Sequence, residues 1–108
     1  MDSLERLKQE IKQFTEERNW DQFHSPANIA KSISIESGEL LECFQWDEKN
    51  FDKEAVCEEL ADVLNYCIQM GIALDVDLPT IIEAKMAKNA KKYPVDKCKG
   101  KATKYTKL

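Results

Sequence analysis

The sequence predicts an all-α protein, and three observations support that prediction. The 108 residues contain only three glycines and three prolines, and they are rich in residues that favour helices, such as Glu, Lys, Leu, Ile and Ala. Apolar residues recur every three or four positions along four segments. The connections between these segments are short. We therefore predict an antiparallel four-helix bundle that forms a single domain over residues 1–108 and, being small, gains stability as a homo-oligomer.

The first predicted helix covers residues 3–18, where apolar residues recur with helical spacing and Ser3 is placed to cap the N-terminus. The segment 18–26 has no helical period and is predicted to be a loop. Its aromatic residues, Trp20 among them, would either line a ligand pocket or plug the end of the bundle, and the spacing favours neither. A lone histidine such as His24 more often makes a structural hydrogen bond than acts in catalysis.

The second and third helices are predicted from their start signals and apolar stripes. Ser25-Pro26 is a capping serine followed by a proline in the first turn, and the helix that it begins runs to about Trp46. After a short polar connection, Asp52 is placed to cap a third helix over 52–73.

The fourth helix and the C-terminal segment differ sharply in composition. Asp77 is placed to cap a helix that runs to about residue 92, where Tyr93-Pro94 ends it. The segment 97–108 contains five lysines and few apolar residues, so its composition alone predicts a disordered basic tail. Two apolar residues in this segment, Tyr105 and Leu108, could still dock it onto the protein or onto a second subunit.

Two acidic motifs lie on the second and third predicted helices. The first is Glu36-x-x-Glu39 and the second is Glu59-x-x-Asp62. Because residues three apart lie on one side of a helix, the two acids of each motif point the same way. Each pair flanks the apolar stripe of its helix. Packing the two stripes together would bring four carboxylates to one edge of the core.

Four neighbouring carboxylates repel one another and normally need a cation. All-oxygen ligands suit Mg²⁺, with Mn²⁺ as a substitute ion, better than zinc, and the four scattered cysteines lack zinc spacing. One motif of this kind is usually a solvated feature of an acidic helix. Two of them, both flanking apolar stripes on consecutive helices, favour a metal site.

Charge is distributed unevenly along the chain. The net charge is −4, yet residues 1–84 hold 7 basic and 19 acidic residues, whereas residues 85–108 hold 9 lysines and one acid. This asymmetry favours a phosphate-rich ligand that bridges a metal and lysines, and the overall acidity disfavours nonspecific binding to nucleic acid. No apolar run is long enough to span a membrane, and the N-terminus does not resemble a signal peptide, so we expect a cytoplasmic protein with reduced cysteines.

Several short segments, taken with the acidic motifs, match a known pattern. They are Glu17-Arg-Asn-Trp-Asp-Gln-Phe-His24, Gly38-Glu-Leu-x-Glu42, Phe44-Gln-Trp46, Glu58-Glu-Leu-x-Asp62, Lys85-Met-x-Lys-Asn89, Lys92-Tyr-Pro94 and Lys104-Tyr-Thr106. The chain resembles the MazG-like all-α nucleoside triphosphate pyrophosphohydrolases, and within them the dCTP pyrophosphatase branch. The likeness covers about residues 10–108.

The resemblance implies a reaction, a cofactor and a set of site residues. The reaction would be Mg²⁺-dependent hydrolysis of a (deoxy)nucleoside triphosphate to monophosphate and pyrophosphate in a homodimer or homotetramer. The implied metal ligands are Glu36, Glu39, Glu59 and Asp62. The predicted substrate-binding residues are Trp20 and Trp46 beside the base, Tyr66 on the sugar–base side, Lys85, Asn89, Lys92 and Tyr93 near phosphate or sugar, and His24. Ile11 replaces a base-proximal histidine found in some relatives, which leaves the preference for cytosine open.

Chemical reasoning about these residues gives each a role. Glu36 or Glu39, left partly free of metal, could orient or deprotonate a water that attacks the α-phosphorus. Lys85 or Lys92 would stabilise the departing pyrophosphate, although a row of lysines on a helix is most often simply solvated. Positioning and electrostatics would carry the catalysis, so no nucleophilic side chain is required.

Two other functions are compatible with the sequence. One is a catalytically idle module that binds nucleotide or metal, although the retention of all four acids argues against it. The other is a helical interaction protein in which the acids only solubilise the bundle. Such a protein would not be stabilised by Mg²⁺ and nucleotide.

Overall fold

The structure is a computed structural model that describes residues 2–108. The chain forms two compact units, Met1–Asp75 and Val76–Leu108. Every regular element in the described range is helical, and the first unit contains α1 (Ser3–Glu17), α2 (Pro26–Glu42) and α3 (Lys53–Leu74), with a 3-10 turn at Asp21–Phe23. The second unit contains α4 (Leu78–Lys92) and the short α5 (Val95–Cys98), with a 3-10 turn at Tyr105–Lys107. The predicted all-α class is confirmed, whereas the four-helix bundle and the single domain stay predictions.

Polar side chains fix where the long helices begin. The predicted caps are confirmed at α2, where Ser25 Oγ accepts from the Asn28 amide at 3.2 Å, and at α4, where Asp77 accepts from the Thr80 amide at 3.2 Å. The predicted cap of α1 is wrong. Asp2, not Ser3, accepts from the Glu5 amide at 2.8 Å, because Asp2 is the last extended residue and Ser3 is already helical.

The second helix ends earlier than predicted, at Glu42 rather than near Trp46. Beyond Glu42 the amides of Phe44 and Gln45 bond to carbonyls three residues back, which tightens the chain into turns. Asp47 then accepts from two following backbone amides and redirects the chain toward α3. The apolar period of the sequence does not signal these turns, so the predicted end of α2 was too late.

The core of the first unit is formed by α3 packing against both α2 and α1. Ile29 of α2 is only 2% exposed, and Thr15 of α1 is buried with its hydroxyl donating to the Lys12 carbonyl at 3.1 Å. Gly71 of α3 is also buried. Few side chains in the described range are fully enclosed, so this unit has a small core for its length.

Several residues that belong to the apolar stripes of the sequence are not enclosed. Leu41 of α2 is 71% exposed, and Leu60 and Leu64 of α3 are also exposed. All of α4 from residue 79 to residue 91 is exposed as well. The apolar stripe of each helix is therefore wider than the surface that α2 and α3 cover on each other.

The C-terminal segment contacts the end of α4 through Tyr105, which is one of the two residues through which docking was expected. The ring of Tyr105 packs edge-on against Tyr93, with centroids 5.9 Å apart, and the Lys92 ammonium lies 4.8 Å from the Tyr105 ring centroid. An aromatic contact and a cation–π contact together hold a segment whose overall composition is polar.

Two further features concern residues 2–108 as a whole. No helix in that range is long and apolar enough to cross a membrane. All four cysteines are free thiols, of which Cys43 and Cys67 are half-buried.

The cap of α3 gives a direct test of the fold. Asp52 accepts from the amides of Glu54 and Ala55 at 3.0 and 3.3 Å, so Asp52→Ala should lower the free energy of unfolding by about 1 kcal/mol. Urea denaturation followed by circular dichroism measures the change. Asp52→Asn should retain most of the stability, and an equal loss in both variants would show that the cap does not stabilise α3.

Candidate metal and nucleotide site

Three carboxylates meet where α2 packs on α3. One oxygen each from Glu36, Glu59 and Asp62 lies within 4.8 Å of the other two. Glu36 precedes the end of α2 by about as many residues as Glu59 follows the start of α3, so the short connection brings them level. The sequence predicted that the two acidic motifs lie close together, and three of their four acids do so.

Two of these carboxylates are held in a state that is costly without a positive partner. Glu36 and Glu59 are half-buried, and the Oε2 atom of each is buried without a hydrogen-bond donor. A buried acceptor without a donor costs free energy, and a negative charge on it costs more.

The proton affinity of Glu36 reflects this environment. A hydrogen bond with Glu39, burial, and repulsion from the neighbouring carboxylates raise the pKa of Glu36 from 4.5 to about 7. Burial is the largest cause of the raised pKa of Glu59, followed by a hydrogen bond with Glu39. Glu39 thus lies beside both residues and is itself exposed, outside the group of three that meet within 4.8 Å.

The donor set fits a divalent cation of the hard class. It offers only carboxylate oxygens, and a cation would supply the positive charge that the two buried oxygens lack. Three of the four acids predicted as metal ligands form the cluster, namely Glu36, Glu59 and Asp62. The fourth, Glu39, lies beside the cluster and is exposed.

The predicted base-side residues of the first unit lie in different surroundings. Tyr66 is half-buried, about one turn after Asp62 on the same face of α3. Trp46 is 89% exposed in the connection after α2. Trp20 is partly exposed and packs edge-on against Phe14, with ring centroids 5.7 Å apart, so one side of it is used within the protein.

The predicted phosphate-side residues belong to the second unit. Lys85 and Asn89 are exposed on α4. Lys92 is half-buried at the last turn of α4 and lies over the ring of Tyr105, and Tyr93 contacts the same ring. Tyr105 is a residue that the sequence-based prediction of the site missed.

A cavity of about 150 Å³ opens in the first unit, between α1, the turn at Asp21–Phe23, α2 and α3. His24, predicted as a substrate-binding residue, is half-buried and lines this cavity. Gln69 of α3 also lines it, and its Oε1 atom is buried without a donor. Gln69 was not predicted as a site residue, although it lies seven positions after Asp62, which places it on the same face of α3. Extending the helical wheel beyond the acids would have found it.

Comparison with known proteins shows the family to which the chain belongs. The model of the MazG-like family matches residues 31–108, which is most of the chain. The chain belongs to the MazG-like family. The resemblance inferred from its short segments is confirmed.

Individual proteins that resemble the chain show which members of the family it is similar to. The chain is 38% identical to dCTP pyrophosphatase 1 of Bos taurus and 35% identical to that of Homo sapiens, over 98% of this chain and 68% of each relative. It is also similar to the crystal structure of a pyrophosphatase from Archaeoglobus fulgidus, with a TM-score of 0.80 and 36% identity over 87% of this chain and 94% of the other. The similarity to these relatives confirms the predicted resemblance to the dCTP pyrophosphatase branch of the MazG-like family.

The raised pKa of Glu36 predicts a pH dependence of stability. A carboxyl whose pKa is higher in the folded state than in the unfolded state stabilises the fold when protonated, so this contribution is complete below about 4.5 and is lost as pH rises through about 7. Without metal, the melting temperature should therefore fall by a few degrees between pH 5 and pH 8. Added Mg²⁺ should restore it at pH 8, because the cation replaces the proton.

Glu36→Gln provides the control for this pH dependence. The amide is uncharged at every pH, so the metal-free variant should melt higher than the wild type at pH 8 and gain little from Mg²⁺. Differential scanning calorimetry in buffers that contain a chelator or Mg²⁺ measures both effects. An unchanged pH dependence in the variant would mean that another group causes it.

Proposed function

We propose that this protein is a divalent-metal-dependent nucleoside triphosphate pyrophosphohydrolase, with Mg²⁺ as the metal and dCTP or a related pyrimidine nucleotide as the substrate. The observation that carries the proposal is the group of three carboxylate oxygens within 4.8 Å, two of whose residues also hold a buried oxygen without a donor. Relatives that share 35–38% of their residues with it are dCTP pyrophosphatases, and a similar solved structure is a pyrophosphatase. These similarities support a nucleotide pyrophosphohydrolase reaction here.

The cluster defines what each acid would do. Glu36, Glu59 and Asp62 would hold the cation, since their oxygens converge and two of them lack any other positive partner. When bound, Mg²⁺ supplies neutralisation of the phosphate charge and lowers the pKa of a water. Glu39 borders the cluster but is exposed, so it is the better placed of the two candidate bases to orient that water and accept its proton.

The negative charge of the leaving pyrophosphate would be stabilised by positively charged side chains of the protein. Lys85 and Lys92 are the proposed partners, with Asn89 and Tyr93 as neutral hydrogen-bonding groups. Lys92 is better held than Lys85, because the Tyr105 ring lies 4.8 Å from its ammonium and reduces the freedom of its side chain. A charge that is already positioned loses less entropy on binding phosphate.

Self-association is proposed on a separate observation. In both units, large apolar side chains of long helices are exposed, including Leu41 at 71% and Met86 at 65%. A chain of this size with few fully buried residues gains stability when a second copy covers such faces. A homodimer or homotetramer would also shield Trp46, which is 89% exposed in the single chain.

The second function considered from the sequence, a catalytically idle binding module, makes a contrasting prediction about products. It would bind nucleotide in the presence of metal and release nothing. The same incubation therefore separates the two functions. The proposal of a cytoplasmic protein that does not bind nucleic acid rests on composition alone.

Product analysis tests the proposed reaction. Wild-type protein incubated with a panel of NTPs and dNTPs should yield monophosphate and pyrophosphate only when Mg²⁺ or Mn²⁺ is present. Asp62→Ala should reduce turnover by at least about 100-fold with helicity unchanged, because removing a ligand leaves the remaining acids unable to hold the metal. Glu54→Ala, which removes an exposed acid from the first turn of α3, is the matched control and should retain activity. Diphosphate and orthophosphate as products would mean that a different phosphorus is attacked.

Sedimentation of the wild type and two surface variants tests self-association. The wild type should sediment as a dimer or tetramer at micromolar concentration, and Ile82→Glu should sediment as a monomer, because it places a charge on an exposed apolar position of α4. Ala87→Glu adds the same charge on a different side of the helix and should leave the assembly intact. A wild-type monomer at every concentration would refute the proposal.

A further inference from the structure

One lysine of the second unit is held in place without losing its charge. Lys92 is half-buried at the last turn of α4, and its ammonium lies 4.8 Å from the ring centroid of Tyr105, whereas Lys85, Lys88 and Lys91 are exposed. Within residues 2–108, the two ion pairs are formed by arginines of the first unit, so Lys92 has no carboxylate partner. A carboxylate would hold the ammonium and cancel its charge. An aromatic ring holds the ammonium and leaves its charge to act on a phosphate.

The ring that lies against Lys92 also contacts the next residue of the chain. Tyr105 packs edge-on against Tyr93, with ring centroids 5.9 Å apart. Lys92 and Tyr93 are consecutive residues at the end of α4, and both are among the proposed phosphate-side residues. One ring therefore restricts the positions of both. Each contact is made by the aromatic ring of Tyr105 and neither by its hydroxyl group, so a phenylalanine at this position would make both contacts as well.

A tight turn after α5 reverses the chain before Tyr105. The Lys101 amide donates to the Cys98 carbonyl at 2.9 Å and closes the turn. Between these two residues, Lys99 has φ −57° and ψ 121°, and Gly100 has φ 77°. These are the angles of a type II turn, whose third residue lies in the left-handed region that favours glycine. The backbone at Gly100 therefore helps to determine where the ring of Tyr105 lies.

We propose that Tyr105 is a positioning residue for the pyrophosphate side of the site, and that the turn at Gly100 sets the place of its ring. The inference rests on the proposed function for the identity of the ligand. A lysine side chain loses conformational entropy when it binds an anion, and a ring that already restricts it reduces that loss. Because Tyr105 is uncharged, it does so without weakening the attraction between Lys92 and a phosphate. The segment after α5 is then a functional part of the enzyme.

Variants of Tyr105 test the role of the ring. With dCTP and Mg²⁺, Tyr105→Leu should lower kcat/KM by about three- to tenfold, because Lys92 keeps its charge and loses the ring that restricts it. Tyr105→Phe should retain the kcat/KM of the wild type. Thr106→Leu, the same replacement at the adjacent exposed position, is the matched control and should leave kcat/KM unchanged. An unchanged kcat/KM in Tyr105→Leu, or an equal loss in Tyr105→Phe, would overturn the inference.

A double-mutant cycle distinguishes positioning of Lys92 from a general effect on the fold. In the background of Lys92→Met, Tyr105→Leu should cause no further loss of kcat/KM, since no ammonium remains to be positioned. A loss of the same size in both backgrounds would mean that the ring acts on some other group, and this result too would overturn the inference.

Variants of Gly100 test the turn without changing any contact of the ring. A Cβ atom added at Gly100 meets no other atom within 4 Å, so Gly100→Ala changes only the backbone preference. It should lower kcat/KM by about two- to fivefold, since the left-handed conformation is costly for alanine. Gly100→Asn should lower it less, because asparagine adopts this conformation more readily. An unchanged kcat/KM in Gly100→Ala would show that the turn does not set the place of the ring.

NMR spectroscopy without nucleotide separates this inference from the proposed function. The ring of Tyr105 should shift the side-chain methylene protons of Lys92 upfield, and inorganic pyrophosphate should perturb the same signals. The upfield shift should persist in Tyr105→Phe and disappear in Tyr105→Leu. If the wild type hydrolyses no triphosphate but shows these shifts, the proposed reaction fails and the positioning of Lys92 stands. If it hydrolyses triphosphates but the Lys92 signals show no upfield shift, the reaction stands and the inference is overturned.

Discussion

The repulsion among carboxylates at the contact between α2 and α3 is the constraint on which the site depends. Two helices whose apolar stripes pack together carry their flanking acids into the same place, and two of those acids bury an oxygen without a donor. The packing that stabilises the first unit is thus also what makes the acids unstable as a group. A divalent cation bound to this cluster, as proposed above, would supply the positive charge that these oxygens lack and would stabilise the packing of α2 on α3.

The carboxylate cluster and the cavity of the first unit are two different chemical environments, and their residues lie about two helical turns apart along α2 and α3. At one end are charged oxygens that suit a hard cation, and at the other is a mostly apolar cavity with a single oriented amide. The length of a helix turn, rather than any loop, sets the distance between the two ends, which makes that distance rigid.

Local signals in the sequence were sufficient for much of this. The caps at Ser25, Asp52 and Asp77 and the placement of the acids beside the apolar stripes depend only on neighbours within a few residues. The early end of α2 was missed because the apolar period continues to Phe44, whereas the backbone after Glu42 forms turns. The burial of individual stripe residues could not be predicted, since Leu41 and Leu64 lie on helical faces that α2 and α3 do not cover for one another. The helical wheel could have placed Gln69 on the same face as Asp62, but the cavity that it lines could not be predicted, because four separate segments form that cavity.

The contact between Lys92 and Tyr105 links the end of the chain to α4. An ammonium group that rests on an aromatic ring is shielded on one side and presents its N–H bonds to the other. Tyr105 therefore restricts the side chain of Lys92, which would otherwise move freely in solvent. A change at Tyr105, which lies outside α4, therefore alters where the charge of Lys92 is held, although Tyr105 itself carries no charge.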